Sequence, residues 1–340
     1  GGAICAQQGN TSITDCSFEG NAAQQQGGAI YSCVHASSRV TNSVFRSNRA
    51  GGSGGAISND AGSTTVTDSL FSQNNAARGG AIAMFRDAVR ATSCAFVANQ
   101  ATDSGGAFYN SSTGGPQIFL NCSFGGNLSA NGGAAATNAS STGLLITNSI
   151  LWDKTTATVP EIANASGAKS TVTYSDVNGG CTTAKGCTTD QTGNINADPR
   201  FSDIAAADLH LLPSSPAIDA AAGCEAPSVD KDNQVRIDVV AIKNTGSGPT
   251  ADMGAYEYPG LDTDIMAPEA SVKTCCTKST SAAAHDYWYC AKARDRAEAT
   301  DFCKASKMSI AVVTTADEND LICKLAGSGS LLIDATDAAS

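Results

Sequence analysis

The chain has 340 residues, of which 41% are hydrophobic and 6% aromatic, and its formal net charge at pH 7 is -11. This acidic balance argues against binding to nucleic acids, and no stretch approaches the ~20 apolar residues that span a bilayer. The 13 cysteines indicate an oxidising compartment in which disulfides form, so we expect an extracellular or cell-surface protein. With three histidines and no paired Cys-x-x-Cys elements, no metal site of the zinc type is predicted.

Residues 1–155 repeat one motif about every 26 residues. Gly-Gly-Ala, followed in most copies by a larger apolar side chain, begins at Gly1, Gly27, Gly54, Gly79, Gly105 and Gly132. A period of this length is typical of stacked coils, and the glycine pair supplies positive φ or a close backbone approach at a corner. Because Gly1 already lies inside a repeat and no signal peptide precedes it, we expect that the N-terminus was processed or cut.

A second motif, Phe-x-x-Asn, keeps the same spacing. Its five copies are Phe18/Asn21, Phe45/Asn48, Phe71/Asn74, Phe96/Asn99 and Phe124/Asn127. A coil of three short strands and three turns uses about this many residues, and coils stack about 4.8 Å apart, so equivalent side chains lie above one another. We therefore predict a mainly β fold, a parallel β-helix, with an interior phenylalanine stack and an asparagine ladder whose amides bond along the axis.

These two motifs resemble the repeats of polymorphic outer-membrane proteins and related β-helix surface proteins over residues 1–155. The resemblance implies a right-handed parallel β-helix that is exposed outside the cell. It implies adhesion, which is common among such proteins, and it does not imply catalysis.

One repeat column bears on the alternative that the chain is a polysaccharide-active β-helix enzyme, a lyase or a glycosidase. Such an enzyme needs carboxylates from different coils that converge on one face. Asp15 and Asp68 share a column, and its other members are Asn42, Ser93, Asn121 and Asn148. A mixed Asp, Asn and Ser column is typical of a turn position. We therefore predict no catalytic residues and no enzyme activity.

Three cysteine pairs come close enough in the predicted coils or loops to be considered for bridges. Cys5 and Cys33 lie one coil apart in nearly the same column, so we predict a disulfide between them. Cys181 and Cys187, six residues apart, are predicted to close a loop. Cys94 and Cys122 are adjacent in the stack; we favour buried thiols there over a disulfide.

Several Asn-x-Ser/Thr sequons are glycan acceptors if the source is eukaryotic. The repeat register places Asn121 in a strand and Asn127 in the ladder, so both are predicted to be inaccessible. The candidates in loop-like stretches are Asn10, Asn110, Asn138 and Asn164.

Residues 156–260 lose the glycine spacing and are predicted to form the last coils and a C-terminal cap. Four motifs follow in order: Asp198-Pro199-Arg200-Phe201, Asp208-Leu209-His210-Leu211, Ser215-Pro216-Ala217-Ile218-Asp219 and Asp252-Met253-Gly254-Ala255-Tyr256-Glu257. Together they resemble the ending of bacterial-type β-helix proteins called choice-of-anchor Q. The resemblance implies that this block closes the end of the β-helix, where unpaired strand groups otherwise invite aggregation.

The segment from Asp230 to Arg236 is rich in oxygen ligands and so suggests a Ca²⁺ site. It lacks a glycine at the sixth position and a closing bidentate glutamate, which argues against that site. We favour an ion pair between Arg236 and a carboxylate such as Asp252 or Glu257, and we predict no cofactor.

Residues 261–274 read as a linker, and residues 275–340 resemble the first half of a C-type lectin-like domain, a small α+β segment. The resemblance rests on Tyr287-Trp288-Tyr289, on Ala297 and Cys303, and on the apolar run Ser309–Val313. It implies a Cys276–Cys290 pair, as in the extended form of that domain. The loop that carries sugar and calcium ligands in the family would lie beyond Ser340, so no residue of this chain takes over sugar binding from it.

Together these features predict an extracellular structural or adhesive glycoprotein module from a larger cell-surface or filament-forming protein. The expected partners are other extracellular proteins or glycans, with self-association in a filament as one version. The alternative is the polysaccharide-active enzyme described above.

Overall fold

The computed structural model describes residues 1–153, 159–165, 167–180, 187, 192–239, 242–247 and 251–260, and the backbone of three strands farther along the chain. This part is mainly β-strand and contains no helix. Its strands pair in parallel from one coil to the next, which confirms the predicted parallel β-helix. In the described residues, accordingly, no helix is long and apolar enough to cross a membrane.

Three sheets, named A, B and C here, each contain seven parallel strands, so the chain runs through six turns and begins a seventh. Sheet A contains β1 Ile4–Ala6, β5 Ile30–Ser32, β9 Ile57–Asn59, β13 Ile82–Met84, β17 Phe108–Asn110, β21 Ala136–Asn138 and β24 Ile162–Asn164. Sheet B contains β2 Asn10–Thr14, β6 Ser37–Thr41, β10 Thr64–Thr67, β14 Val89–Thr92, β18 Gln117–Leu120, β22 Leu144–Thr147 and β25 Ser170–Thr173. Sheet C contains β3 Ser17–Glu19, β7 Val44–Arg46, β11 Leu70–Ser72, β15 Ala95–Val97, β19 Ser123–Gly125, β23 Ile150–Trp152 and β26 Asp176–Val177.

A fourth, shorter sheet, D, was not predicted from the period. It contains β4 Ala22–Ala23, β8 Arg49–Ala50, β12 Asn75–Arg78, β16 Gln100–Ser104 and β20 Leu128–Ser129. Its strands follow the ladder asparagines directly. There the backbone stays extended for two to five residues before the glycine corner, and this is long enough for coil-to-coil pairing.

Side chains alternate between the interior and the surface along each short strand, as the pleat requires. In β10, Thr64 and Val66 are buried, whereas Thr65 and Thr67 are partly exposed. The inward positions of sheets A, B and C meet in one apolar core that runs through the stack.

The phenylalanines of the second motif lie directly above one another in sheet C, as their spacing predicts. Four successive ring pairs join Phe18, Phe45, Phe71, Phe96 and Phe124 with centroid separations of 4.9, 4.8, 5.0 and 4.8 Å. These separations equal the strand spacing, since each ring is carried by the paired strand of the next coil.

The two glycines of the first motif have different tasks. The first takes positive φ, between 62° and 72° at Gly27, Gly54, Gly79 and Gly105. The second lies against the next coil, because a Cβ built on Gly55 would collide with the carbonyl oxygen of Gly80. In the copies named here, neither position therefore accepts a side chain without a backbone shift.

The sixth copy of the glycine motif begins one residue later than predicted. Sheet A pairs Phe108 with Ala136, and the Gly106 N–H donates to the Gly133 carbonyl. Gly133 therefore takes the place of Gly105, and Gly132 belongs to a turn that is one residue longer. The sequence favours Gly132 as the start because Gly132, Gly133 and Ala134 form the Gly-Gly-Ala triplet.

Residues 198–258, as far as they are described, fold back along the outer face of sheet C; we call them the lateral cover. They contain β27 Phe201–Asp203 and β28 Asp208–Leu211, which pair antiparallel, and the short strand β29 Asp238–Val239. Leu209 and Tyr256 pack on Ala95 and Val97 of sheet C. The Ala255 N–H donates to Ser123 Oγ at 2.9 Å, and the Gly254 N–H donates to the Asn148 carbonyl at 2.7 Å.

This position corrects the prediction that the motif block closes the end of the β-helix. The end of the last coil is met instead by residues 192–197, where the Val177 N–H donates to the Ile195 carbonyl and Asn194 Nδ2 donates to the Val172 carbonyl. Cys187 is buried in the apolar core at the same end. The motif block is apolar on its inner side and covers the flank of the rod because sheet C presents small or apolar outward residues there.

Beyond residue 239 the structure describes three further strands: β30 Ile265–Met266, which pairs antiparallel with β29 Asp238–Val239, and the antiparallel pair β31 Cys276–Thr280 and β32 Asp286–Cys290. The register sets Cys276 opposite Cys290, the pair for which a disulfide is predicted. That disulfide and the lectin-like identity of residues 275–340 stay predictions, and the rest of that segment lies outside the described residues.

Candidate functional site

The asparagine ladder is the most regular polar feature of the interior. Each Nδ2 donates to the Oδ1 of the next asparagine at 2.9–3.0 Å, through Asn21, Asn48, Asn74, Asn99 and Asn127. The same Oδ1 accepts the backbone N–H of the preceding asparagine, and Nδ2 also donates to a phenylalanine carbonyl one coil earlier. From Asn48 onward the ladder side chains are completely buried, so every amide group has its partners inside the protein.

The ladder ends on an acid pair that the Phe-x-x-Asn motif does not include. Asn127 Nδ2 and N–H both donate to Asp153 Oδ1, at 2.8 and 2.7 Å. The Asp153 N–H in turn donates to Glu161 Oε1 at 2.8 Å. Asp153 follows Leu151 by two residues, whereas each asparagine follows its phenylalanine by three, so a search for Phe-x-x-Asn passes over it.

Both carboxyl groups are buried and hold their protons more tightly than usual. Burial raises the pKa of Asp153 to about 6 and raises the pKa of Glu161 well above its ordinary value, and the neighbouring Asp153 charge raises the pKa of Glu161 further. Among the described residues, Asp153 Oδ2 and Glu161 Oε2 have no hydrogen-bond partner. We therefore expect the pair to destabilise the sixth coil at neutral pH.

Replacing Asp153 by asparagine is expected to raise the free energy of unfolding by about 1–3 kcal/mol at pH 7.5. An acid whose folded pKa is raised stabilises the fold below its unfolded pKa, near 4, and this stability is lost as the pH rises through about 6. The gain of D153N should therefore be small at pH 4 and full at pH 7.5. Urea unfolding at both pH values measures it.

The control is Asp15→Asn at an exposed turn, where the next coil already has Asn42. It should not raise the free energy of unfolding at pH 7.5 as Asp153→Asn does. An Asp153→Asn effect that does not depend on pH would contradict the assignment of the acid pair.

The predicted Cys5–Cys33 disulfide is not formed, and both residues are free thiols. Sheet A pairs Cys5 with Tyr31, so Cys33 lies two residues farther along the chain, just beyond the end of the neighbouring strand β5. Cys94 and Cys122 are buried free thiols, as favoured from the sequence. Cys187 takes part in a disulfide; its predicted partner Cys181 lies outside the described residues, so that pairing stays a prediction.

The mixed Asp, Asn and Ser column is a row of turns. Its members all have left-handed backbone, with φ between 44° and 53° at Asp15, Asn42, Asp68, Ser93, Asn121 and Asn148. Asp and Asn tolerate this conformation better than most side chains. The residue types in this column therefore follow from backbone geometry.

Two of the four candidate glycosylation sites are buried. Asn110 and Asn138 are completely buried in strands of sheet A, not in loops: Asn110 Nδ2 donates to Asn138 Oδ1 at 2.8 Å, and Asn138 Nδ2 donates to the Lys169 carbonyl at 2.9 Å. A glycan would have to attach to these same nitrogens, so the prediction for both is wrong. Asn164, next in the column, is half-buried, and Asn10 is exposed; both stay predictions. Asn121 and Asn127 are buried as predicted.

The lateral cover is held by a buried ion pair. Arg236 Nη1 donates to Glu257 Oε2 at 2.7 Å, and its guanidinium also reaches the carbonyls of Asp252 and Gly254, both at 3.3 Å. The second Glu257 oxygen accepts the Ile237 N–H. Burial raises the pKa of Glu257, while Arg236 lowers it. Of the two carboxylates proposed for Arg236 from the sequence, Glu257 is the partner.

Asp230 closes the neighbouring turn through the backbone. Its Oδ1 accepts the N–H groups of Asp232 and Gln234, and its Oδ2 accepts the N–H of Glu257. No group of three or more His, Cys, Asp and Glu side chains in the described part of the chain is arranged to hold a metal ion. Calcium binding at this segment stays a hypothesis.

His210 joins the β27–β28 hairpin to this turn. Its Nδ1 lies 2.5 Å from Asp208 Oδ1, its Nε2 lies 2.9 Å from Asp232 Oδ2, and its ring packs on Tyr256 at a centroid separation of 4.1 Å. Burial alone would raise the pKa of Asp208, but hydrogen bonds from His210 outweigh it and lower the pKa. The histidine thus fixes the outer edge of the cover.

A pocket of about 500 Å³ opens between sheet C and the lateral cover. Its lining residues are Trp152, Asp198, Arg200, Phe201, Ile204, Leu212 and Pro213. Asp198 and Arg200 are exposed at its rim, whereas Trp152 and Phe201 are half-buried. Two aromatic rings, an acid and a base thus converge on one concave surface, which the sequence does not reveal because Trp152 lies about 50 residues from the others.

The repeat unit has a counterpart among known protein families. Residues 15–33 and 42–60 match the Chlamydia polymorphic membrane protein repeat. Each matched segment contains one Phe-x-x-Asn and one Gly-Gly-Ala-Ile motif, so the likeness rests on the residues that build the stack, the ladder and the corner. It supports the resemblance stated from the sequence for the β-helix. No curated protein matches the chain.

Proposed function

We propose that this chain is a structural and adhesive module of a cell-surface protein, in which a stiff β-helix carries the lateral cover away from the cell. One observation carries the proposal: two segments of the parallel β-helix, residues 15–33 and 42–60, match the Chlamydia polymorphic membrane protein repeat. Continuous stacking of side chains through six turns makes such a rod stiff, because each coil is fixed by its neighbours.

The contact surface of the module is its non-repeating part. The repeats present a uniform face, whereas the lateral cover adds a pocket, the β27–β28 hairpin and a histidine flanked by acids on one flank. Adhesion to other extracellular proteins or glycans is expected from this flank. A glycan on Asn10, self-association in a filament and a lectin-like segment at 275–340 are further parts of the proposal.

Labelling of intact source cells with a membrane-impermeant amine reagent tests the location. The chain should be labelled to the same extent before and after lysis, while a cytoplasmic marker is labelled only after lysis. Labelling of the chain that requires lysis would overturn the surface assignment.

Bead adhesion tests the activity. Beads coated with the full 340-residue chain should attach to mucin-coated glass under flow, and beads coated with the heat-unfolded chain should not.

A second experiment tests the enzyme alternative. Incubation of the chain with pectin and alginate in the presence of Ca²⁺ should give no new reducing or unsaturated ends. Release of such ends by the folded chain alone would favour the enzyme alternative and contradict the adhesive module.

A further inference from the structure

The pocket on the flank of the rod combines the features that a sugar ring requires. Trp152 ends β23 on the outer face of sheet C, and Phe201 begins β27 of the lateral cover. Both side chains line the same concave surface as Leu212 and Pro213. A pyranose presents C–H bonds on one face, which pack on the electron-rich face of an aromatic ring.

The rim of the pocket supplies polar groups for hydroxyls. Asp198 is exposed, and its Oδ1 accepts the Arg200 N–H at 2.9 Å. Arg200 Nη1 donates to the Pro213 carbonyl at 3.3 Å, so the guanidinium is held at the rim with further N–H donors. A carboxylate acceptor beside a guanidinium donor suits the adjacent hydroxyls of a sugar.

The volume and charge of the pocket limit the class of ligand that it can bind. About 500 Å³ lies within the range of roughly 300–1,000 Å³ that small-molecule sites occupy. The lining carries one acid, Asp198, and one base, Arg200, so it offers no net positive charge to the carboxylate of a uronic acid or a sialic acid.

We propose that the pocket formed by Trp152, Phe201, Asp198 and Arg200 binds an uncharged pyranose unit of a glycan, such as a hexose or an N-acetylhexosamine. The inference rests on the proposed adhesive function and names its ligand class. The aromatic rings hold the ring face, and Asp198 and Arg200 select the hydroxyl pattern. The open side of the pocket lets a glycan chain continue into solvent.

Binding of the full chain to polymer-linked glucose, galactose, mannose and N-acetylglucosamine tests the site. At least one of these neutral probes should bind and be displaced by the free methyl glycoside, and polygalacturonate should not bind. Trp152→Ala and Asp198→Asn should each weaken that binding at least tenfold. Leu145→Ala, at an exposed position of sheet B away from the pocket, should leave binding unchanged.

Thermal unfolding of every variant separates a lost site from a lost fold. Asp198 is exposed, so D198N should keep the melting temperature of the parent. This variant therefore tests the sugar site even if W152A unfolds. No binding of any neutral probe by the folded chain, or equal binding by D198N, would overturn the pocket assignment. Bead adhesion without sugar binding would contradict the sugar site and leave the proposed adhesive function supported. Sugar binding without bead adhesion would support the sugar site and contradict the proposed adhesive function.

Discussion

Asn74→Ala should lower the free energy of unfolding by about 3–5 kcal/mol, because each buried polar group that loses its partner costs about 1–3 kcal/mol. Asn74 Oδ1 accepts two hydrogen bonds from Asn48, and its Nδ2 donates to the Phe45 carbonyl and to Asn99 Oδ1. All of these groups are buried in the middle of the ladder, where no water replaces the lost amide. Urea unfolding, followed by circular dichroism, measures the loss.

The adjacent Asn75 provides a matched control. It is the same residue type in the same coil, but its side chain is half-buried and makes one long contact of 3.4 Å to the Gln100 carbonyl. Asn75→Ala should change the free energy of unfolding by no more than about 0.5 kcal/mol. Equal losses for N74A and N75A would mean that the ladder does not stabilise the rod.

Arg236→Met should loosen the lateral cover and lower the free energy of unfolding by about 3–5 kcal/mol, because it leaves the Glu257 carboxylate buried without its ion-pair partner. The exposed side-chain fractions of the two residues are 4% and 2%, so solvent does not screen their charges. Arg236 lowers a Glu257 pKa that burial raises. Without the arginine this pKa rises further, so the loss should grow as the pH is raised from 5 to 8.

Hydrogen exchange locates the effect. The Gly254 and Ala255 N–H groups, which donate to the Asn148 carbonyl and to Ser123 Oγ, should exchange faster in R236M, while the ladder amides keep their protection. Arg46→Met, at an exposed position of β7, is the control. It should change neither the exchange of the Gly254 and Ala255 N–H groups nor that of the ladder amides. The double variant R236M/E257L should recover most of the lost stability, because it removes the unpaired charge. Unchanged exchange in R236M would show that the ion pair does not hold the cover.

Most of the ladder and the core could be predicted from the sequence because their contacts join residues that are one turn of the β-helix apart. Asn48 and Asn74 are 26 residues apart, and the period of the motifs states that separation directly. The left-handed turns at Asp15 and its equivalents followed for the same reason. At Gly133 and Asp153 the spacing departs from the period by one residue, so the motifs do not identify these positions as equivalents of the other copies.

The direction of side chains near strand ends could not be predicted from the sequence. Asn110 and Asn138 carry sequons in stretches that read as loops, yet both close three-residue strands of sheet A and point inward. Asparagine has a low strand propensity, so only the pairing of neighbouring coils reveals that these backbones are extended. The same pairing separates Cys5 from Cys33 by two residues and so prevents the predicted disulfide.

The sequence by itself determined the coiled architecture, the identity of the stacked side chains and the Arg236 ion pair to within two candidate partners. Only the tertiary structure decided where the lateral cover lies and that a pocket forms between it and sheet C. The contact between Ala255 and Ser123 joins residues 132 positions apart. No period encodes that separation, because such a contact depends on how one apolar surface fits another and not on the spacing of residues along the chain.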